Sequence, residues 1–515
     1  MEMRRTVPLA LLCLWFLTLT LHAQQPGSDE PKESPHSEPT RITGPKSDDG
    51  TIDYIRAINQ RYGKGVTPQN NSVVALWQAI GLPPRTKLPP KEYFDLLGME
   101  VPAKQGEYFI SSFDFFLGKG FADVQMDKVY DQEMETQTHP WRAADFPDIA
   151  KWLKANERPL ELVAEAVKRE RYYSPLVVPE KQPPHMTHIV FAPLPGVQRD
   201  LMRILISRSM LHVGEGNREQ AWNDLLTCFR IARQLGQGAH LAERLIALGI
   251  DGTAINACLR FIQHARPTGA EIDGYQRELA ELRPIQLLDC IDYCERCAIL
   301  DLAQRFSRGD FEDLGPEITN PDTLSKLAMK RVAIIADWNV VYKELNEWLD
   351  QLIAELYATH FETRQRRLQE MESDIDENDE RLFKQLLTVQ QNQTELAGKL
   401  IADVIISLNF PPVSAFGELP ANSLQMQRNL RIALALASYH SVNQRYPAAL
   451  GELKPKYLET IPGDVYSGKE LYYRLTDKGY LLYSVGKNRR EDKGNSTIVE
   501  PYGDDVGVRM PAEYK

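Results

Sequence analysis

Arg428-Asn-Leu-Arg-Ile-Ala-Leu-Ala-Leu-Ala-Ser-Tyr-His-Ser-Val-Asn443, then Tyr446-Pro447, then the pair Leu471-Tyr-Tyr-Arg-Leu475 and Tyr480-Leu-Leu-Tyr-Ser-Val485, decide how the end of this chain folds. Leu430, Ala433, Leu434 and Ala437 recur at three- and four-residue intervals, with Leu424 ahead of them, which predicts one apolar helix face. Arg445-Tyr446-Pro447 stops the helix, because proline lacks the amide and restricts the residue before it. Leu450, Leu453, Tyr457-Leu458 and Ile461-Pro462 then mark a short helical turn and an ordered crossing. Two strands follow. Leu471, Tyr473 and Leu475 are expected on one face, joined there by Leu481, Tyr483 and Val485, with turn chemistry at Asp477-Lys478-Gly479 between them. A lone helix over a small antiparallel sheet makes a sufficient core only because the helix covers one sheet face.

The order Tyr446-Pro447, Tyr457-Leu458, Ile461-Pro462 with Asp464, Gly468, Gly479-Tyr480, Tyr483-Ser484-Val485-Gly486 and Asp504-Asp505-Val506 resembles the globular part of type II secretion pseudopilins, the major pseudopilin in particular. The resemblance covers about ninety of the 515 residues. It implies an α+β module whose final loop holds calcium through acidic side chains and backbone carbonyls. Carried onto this chain, it makes Asn488, Asp492, Asp504 and Asp505 the candidate ligands. Calcium takes about six to eight oxygens, which such a loop can supply. The chain departs from the family at Asn488, where aspartate is usual, and at Val465, where proline usually follows the aspartate. Lys487, Arg489, Arg490 and Lys493 also add positive charge, so a solvated loop of mixed charge is the alternative. A true pseudopilin opens on a short leader, Gly-Phe-Thr-Leu-Ile-Glu and a membrane helix. Here Pro411-Pro412 to Pro420 reads as a linker, and Ile401–Leu408 is too short to span a bilayer. The fold is therefore expected without the fibre-building role.

At the other end, Met1-Glu-Met-Arg4-Arg5, the apolar run Val7–Leu21 and Ala23 form the pattern of a secretory signal peptide. An uncleaved anchor is the alternative, but the apolar core is shorter than the roughly 20 residues a spanning helix needs. The expected location is periplasmic or extracellular, with no later membrane span. Net charge is −11, and no basic block occurs, which argues against nucleic-acid binding.

Between these ends the chain reads as mainly α. Residues 24–50 are rich in Pro, Ser, Glu, Asp and Gly without aromatics and predict a disordered tether. A helical body is expected over 51–408, a linker over 409–422 and the pseudopilin-like domain over 423–515. Within the body, Tyr108–Phe116 reads as extended, and residues 143–172 as two helices split at Arg158-Pro159. Residues 173–196 form a proline-rich connection. Val197–Arg266 holds the clearest helices, paired in tetratricopeptide style but without a 34-residue repeat, with Asn217 as a candidate cap. The polar run Glu362–Glu380 reads as a solvated helix face or exposed bend.

Chemical motifs are sparse. Cys290-x3-Cys294-x2-Cys297 has radical-SAM spacing but lies on a helical run, in a chain expected to leave the cytosol. Small buried cysteines are the default there, and zinc or redox chemistry the alternative. Five cysteines remain beyond Cys13, so at least one is unpaired; Cys228 or Cys258 bonding to the trio is an option. Asp374-x-Asp376-x-Asn378 lacks the glycine and final glutamate of a calcium hand. His185-x2-His188 could open a metal site, and His240-x2-Glu243 lacks a second histidine at zincin spacing. Neither Gly-x-Ser-x-Gly nor a phosphate loop occurs. The expected role is an exported, non-catalytic envelope or secretion-associated protein with protein partners. The alternatives are an extracytoplasmic hydrolase with its site in residues 173–240, near His185 and His188, and a calcium-stabilised binding protein.

Overall fold

The computed structural model describes residues 42–121, 123–179, 185–311, 323–358, 360–409, 413–496 and 503–511. The export signal read over 1–23 and most of the tether lie outside them. Helices α1 (Tyr54–Tyr62), α2 (Ser72–Ile80), α3 (Lys91–Leu96), α4 (Ser112–Leu117), α5 (Asp123–Thr136), α6 (Pro147–Ala155) and α7 (Glu157–Ala166) come first. Then come α8 (Leu194–Gly214), α9 (Arg218–Leu235), α10 (Leu241–Ala265), α11 (Gly269–Ala280), α12 (Leu288–Cys290) and α13 (Arg296–Ser307), the last two joined by a π turn over Ile291–Glu295. Next are α14 (Thr323–Ile335), α15 (Trp338–Leu356), α16 (Phe361–Thr388), α17 (Thr394–Asn409) and α18 (Ala415–Asn443). Strands β1 (Tyr472–Thr476), β2 (Gly479–Ser484) and β3 (Val506–Met510) form one antiparallel sheet in the order β1-β2-β3. The chain is mainly helical with this one small sheet among the described residues.

Several sequence expectations are corrected. Residues 42–50 are not all tether: Ile42 is buried beside Tyr54, Ile58 and Leu300, and Asp49 pairs with Arg308. One isoleucine in a polar stretch was enough to anchor it. Ser112–Leu117 is helical rather than extended, because Ser111 caps it by accepting from the Asp114 amide at 3.1 Å. The break in 143–172 falls at Asn156, while Pro159 sits in the first turn of α7, where no amide is needed. Asn156 is fully buried and fixes the break, taking the Ile110 amide on Oδ1 at 2.8 Å and donating to the Ile110 carbonyl at 3.0 Å. Asn217 occupies the cap of α9 but makes no side-chain cap bond.

The main core joins α2, α6, α7, α8, α9 and α10. Trp77 packs edge-on against Tyr93 and Phe94, with ring centroids 6.0 and 5.2 Å away. α8 and α9 meet through the turn Glu215–Asn217 and pack along each other, so they run antiparallel. α10 is long and apolar enough to cross a membrane, which corrects the expectation that no later segment is. It is the central core helix, with 72% of its most apolar window buried, and its Arg244 and Asp251 are ion-paired inside the fold. Asp251, fully buried, meets Arg233 of α9 at 2.5 Å and accepts from Gln427 of α18 at 3.0 Å. At the end of α8, a Cβ on Gly214 would overlap the Trp141 carbonyl. Gly214→Ala is therefore expected to lower stability by about 1–3 kcal/mol, the usual range for overpacking, read as a lower urea midpoint. An unchanged midpoint would show that the 141 segment yields.

A second cluster joins α13 to α17 around Phe306, Val332, Leu345, Leu349, Ile401 and Ile405. α18 begins at Ala415, inside the stretch read as linker over 409–422, and carries Pro420 in its second turn. It is longer than expected because it serves two cores. Leu430 and Leu434 join the helical body, while Ile432, Ala433, Leu436 and Tyr439 cover the sheet. A helix apolar all round is buried on both sides.

The sheet differs from the expected register. Tyr473 pairs with Leu482 and Leu475 with Tyr480, so Tyr480 and Leu482 face α18, not Leu481 and Tyr483. A one-residue shift exchanges the two faces of a strand. All six residues of β2 are buried, because α18 covers one face and the loop after β2 covers the other. Gly494 of that loop lies against Leu481, and Tyr483 donates to Glu491 at 2.6 Å. With both faces apolar, the alternation that would set the register is missing.

Candidate functional site

Where the helical body meets the sheet module there is a cavity of about 720 Å³. Its walls come from the segment 284–291, whose Asp289 is paired with Arg244, from the ends of α15 and α16, from α18, from the turn Gly463–Gly468 and from Arg489. That volume lies within the roughly 300–1,000 Å³ of small-molecule sites. Phe361, Phe416 and Tyr466 supply apolar surface, and Phe361 meets Tyr466 edge-on at 4.7 Å.

Three arginines line this cavity. Arg364, in the first turn of α16, donates through Nη1 to the Ala358 carbonyl at 3.1 Å, and its buried Nε has no hydrogen-bond partner. Arg428, on α18, donates to the Gly463 carbonyl at 2.7 Å. Burial pushes both guanidinium pKa values down, and Asp464 only partly opposes this at Arg428. Among the described residues, the hydrogen-bond partners of these two cations are backbone carbonyls. Asp464 cannot neutralise Arg428 by direct pairing, because Tyr466, Ser467, Ser484 and Val485 occupy its oxygens. Arg489 pairs with Glu362 across the opening. A partly desolvated cation without a carboxylate partner is disfavoured, and an entering anion would relieve it. The sequence reading missed Arg364 because the run Glu362–Glu380 is polar; its first turn is part of a wall.

The acidic loop lies behind Arg489. Asp492, Asp504 and Asp505 bring one carboxylate oxygen each within 4.8 Å of one another. The loop reaches this shape through left-handed Gly486, Arg489, Lys493 and Gly494, with φ of 62°, 58°, 60° and 80°. A side chain on Gly486 would overlap the Asp504 backbone, so the second arm closes tightly there. Asp505 Oδ2 takes the amides of Asp492 and Gly494 at 3.1 and 2.7 Å; Asp504 Oδ2 takes the Asn488 amide at 2.8 Å. The remaining oxygens, Oδ1 of Asp504 and of Asp505, are buried without a hydrogen-bond partner. Burial, then the Asp492 charge, pushes Asp504 up; Asp505 is pushed up to about 6, again by burial first. Asn488, the fourth expected ligand, stands one layer out. Its Nδ2 donates to Asp492 at 2.9 Å and its Oδ1 accepts from the Arg490 amide at 2.6 Å. Three carboxylates with two orphaned oxygens fit a hard divalent cation, with Asn488 bracing the set.

His185 lies elsewhere, held between Asp301 at 3.6 Å and Asp310 at 3.8 Å, and it does not line the cavity. Asp301 also takes the Met186 amide at 2.9 Å, and Arg305 donates to Thr187 at 2.7 Å, so the cluster clamps the proline-rich connection onto α13. Cys228, Cys258, Cys290, Cys294 and Cys297 are all buried free thiols, with none bonded to another. The searches for relatives return nothing: no protein-family model, no curated protein and no solved structure matches this chain.

Proposed function

We propose that this chain is an exported, non-catalytic binding protein of the cell envelope. Its helical scaffold and pseudopilin-like tail hold a small anionic ligand in the cleft between them. The observation that carries the binding reading is the pair Arg364 and Arg428, partly desolvated in a cavity of mixed polar and apolar lining, with carbonyls as their partners. Calcium at Asp492, Asp504 and Asp505 fits the same reading, because Arg489 of that loop also lines the cleft. Calcium would then set the shape of one wall. The antiparallel packing of α8 and α9 supports a scaffold role toward a protein partner. Export rests on the Met1–Ala23 pattern.

Calorimetry of the full chain with citrate and with inorganic phosphate tests the ligand class and separates carboxylate from phosphate. The expected result is binding of at least one anion that weakens about 10- to 100-fold in Arg364→Ala and in Arg428→Ala. That factor corresponds to losing a charge-assisted hydrogen bond of about 1.5–3 kcal/mol. No heat with either anion, or an affinity indifferent to both substitutions, overturns the reading.

A further inference from the structure

The N-terminus of α10 packs against the π turn that interrupts the cysteine run. Three different donor groups converge there. His240 Nδ1 lies 3.8 Å from Cys294 Sγ and 3.9 Å from Glu295 Oε1, and the three ligand atoms fall within 4.8 Å of one another. We infer that His240, Cys294 and Glu295 form a binding site for a thiophilic divalent metal ion of the zinc type.

Distance and charge both favour this assignment. Zinc holds imidazole nitrogen and carboxylate oxygen at about 2.0–2.2 Å and thiolate at about 2.3 Å, so neighbouring donors of a tetrahedral site stand about 3.5 Å apart. The two separations from His240 Nδ1 need to close only by a few tenths of an ångström, and the third, between Cys294 and Glu295, is within 4.8 Å. A neutral imidazole, one thiolate and one carboxylate carry two negative charges, which a divalent ion cancels, and a neutral cluster suits a buried seam. On binding, the Cys294 thiol proton leaves to solvent as the sulfur takes the metal.

The backbone is arranged for the same convergence. Consecutive side chains on an α-helix point about 100° apart. The five-residue π turn over Ile291–Glu295 widens the helix where Cys294 and Glu295 both reach one imidazole, and π turns occur frequently at functional sites. The ligand positions are held independently of any ion. Glu295 accepts from the Leu241 amide at 2.9 Å, and the His240 amide donates to Glu243 at 3.2 Å. The Tyr172 hydroxyl in turn donates to Glu243 at 3.3 Å. Cys294 is fully buried, but the Glu295 side chain is 25% exposed and Phe191, edge-on to the imidazole, is 57% exposed, so the site opens toward solvent on one side. Three protein donors leave a fourth position for water or an added ligand.

Cobalt(II) chloride is the probe, added to the reduced full-length chain and followed by absorption. The expected result is a thiolate-to-cobalt charge-transfer band with intense tetrahedral visible bands, bleached by one equivalent of zinc. Cys294→Ser should abolish the charge-transfer band, and His240→Gln should weaken cobalt binding at least tenfold. Asp504→Asn with Asp505→Asn should leave the band in place, which separates this site from the acidic loop. Absence of the band in the unaltered chain, or its survival in Cys294→Ser, overturns the assignment. Should Cys294→Ser fail to fold, cobalt affinity in His240→Gln decides: wild-type affinity overturns the site, and a tenfold loss supports it.

Discussion

Asp464→Ala is expected to unfold the sheet module while the main helical core stays folded. The carboxylate is buried and holds four donors at once. Oδ1 accepts from the Tyr466 amide at 2.8 Å and the Ser484 hydroxyl at 2.8 Å. Oδ2 accepts from the Val485 amide at 3.1 Å and the Ser467 hydroxyl at 3.0 Å. It thereby pins the turn after Pro462 to the end of β2, and nothing else in that turn spans the same gap with a charge. Alanine leaves two buried amides without partners and removes the charge that oriented both serines. Breaking a buried charged network in this way costs about 3–5 kcal/mol, against a total stability of about 5–15 kcal/mol for an ordinary domain. Urea denaturation should show the tyrosine near-ultraviolet signal of the module lost well before the far-ultraviolet helix signal. Citrate or phosphate binding should fall with it, since Asp464 and Tyr466 line the cleft. Asp464→Asn keeps the shape but turns an NH2 toward donors, so its loss should be intermediate. A midpoint for Asp464→Ala within about 0.5 kcal/mol of wild type, the range of ordinary surface changes, would show that the carboxylate pins nothing.

How far such features could be read in advance depends on how local they are. Tyr446-Pro447 and Asp477-Lys478-Gly479 act within a few residues, so the end of α18 and the β1–β2 hairpin were legible. The register was not, because Leu481 and Tyr483 are buried under the loop after β2 as fully as Tyr480 and Leu482 are under α18. β3 has no local signal: Val506-Gly-Val-Arg-Met510 becomes a strand by pairing with β2, which lies more than twenty residues earlier. α18 extends through Pro420 because the body supports it from outside the module. The acidic loop was half legible. Asp492, Asp504 and Asp505 lie together, and Asn488 stands at their edge, its amide donating to Asp492 and its Oδ1 accepting from the Arg490 amide. The cleft between body and module could not be found from one sequence. Arg364 and Arg428 stand far apart in the chain, and each alone looks like a solvated helix charge.

Calcium and pH should act on the module in opposite directions, and the crossing of the two curves identifies the acidic loop as a cation site. In chelator, Asp505 carries a folded-state pKa of about 6, raised by burial and then by Asp492 and Asp504, and Asp504 is raised as well. An unfolded aspartate titrates near 3.9. The folded state therefore binds the proton more tightly than the unfolded state does. The resulting stabilisation is fully present below about pH 4 and is lost as pH rises through about 6. The metal-free module should thus melt higher at pH 5 than at pH 7.5. With calcium the sign reverses. The ion needs deprotonated carboxylates, so its stabilisation is full above about pH 6 and fades as protons displace it. At a hundred times the dissociation constant, binding contributes about 2.7 kcal/mol, a rise of about 10–20 °C for a unit of about 60–100 residues. Differential scanning calorimetry at pH 5, 6 and 7.5, with calcium and with chelator, reads both trends. Asp505→Asn removes the buried charge while retaining an acceptor, so at pH 7.5 it should raise the melting temperature in chelator and abolish the gain from calcium. Parallel pH curves with and without calcium, or a calcium gain that survives Asp505→Asn, would reduce the loop to a solvated patch of mixed charge, with Asp505 serving only to close the turn onto Asp492 and Gly494.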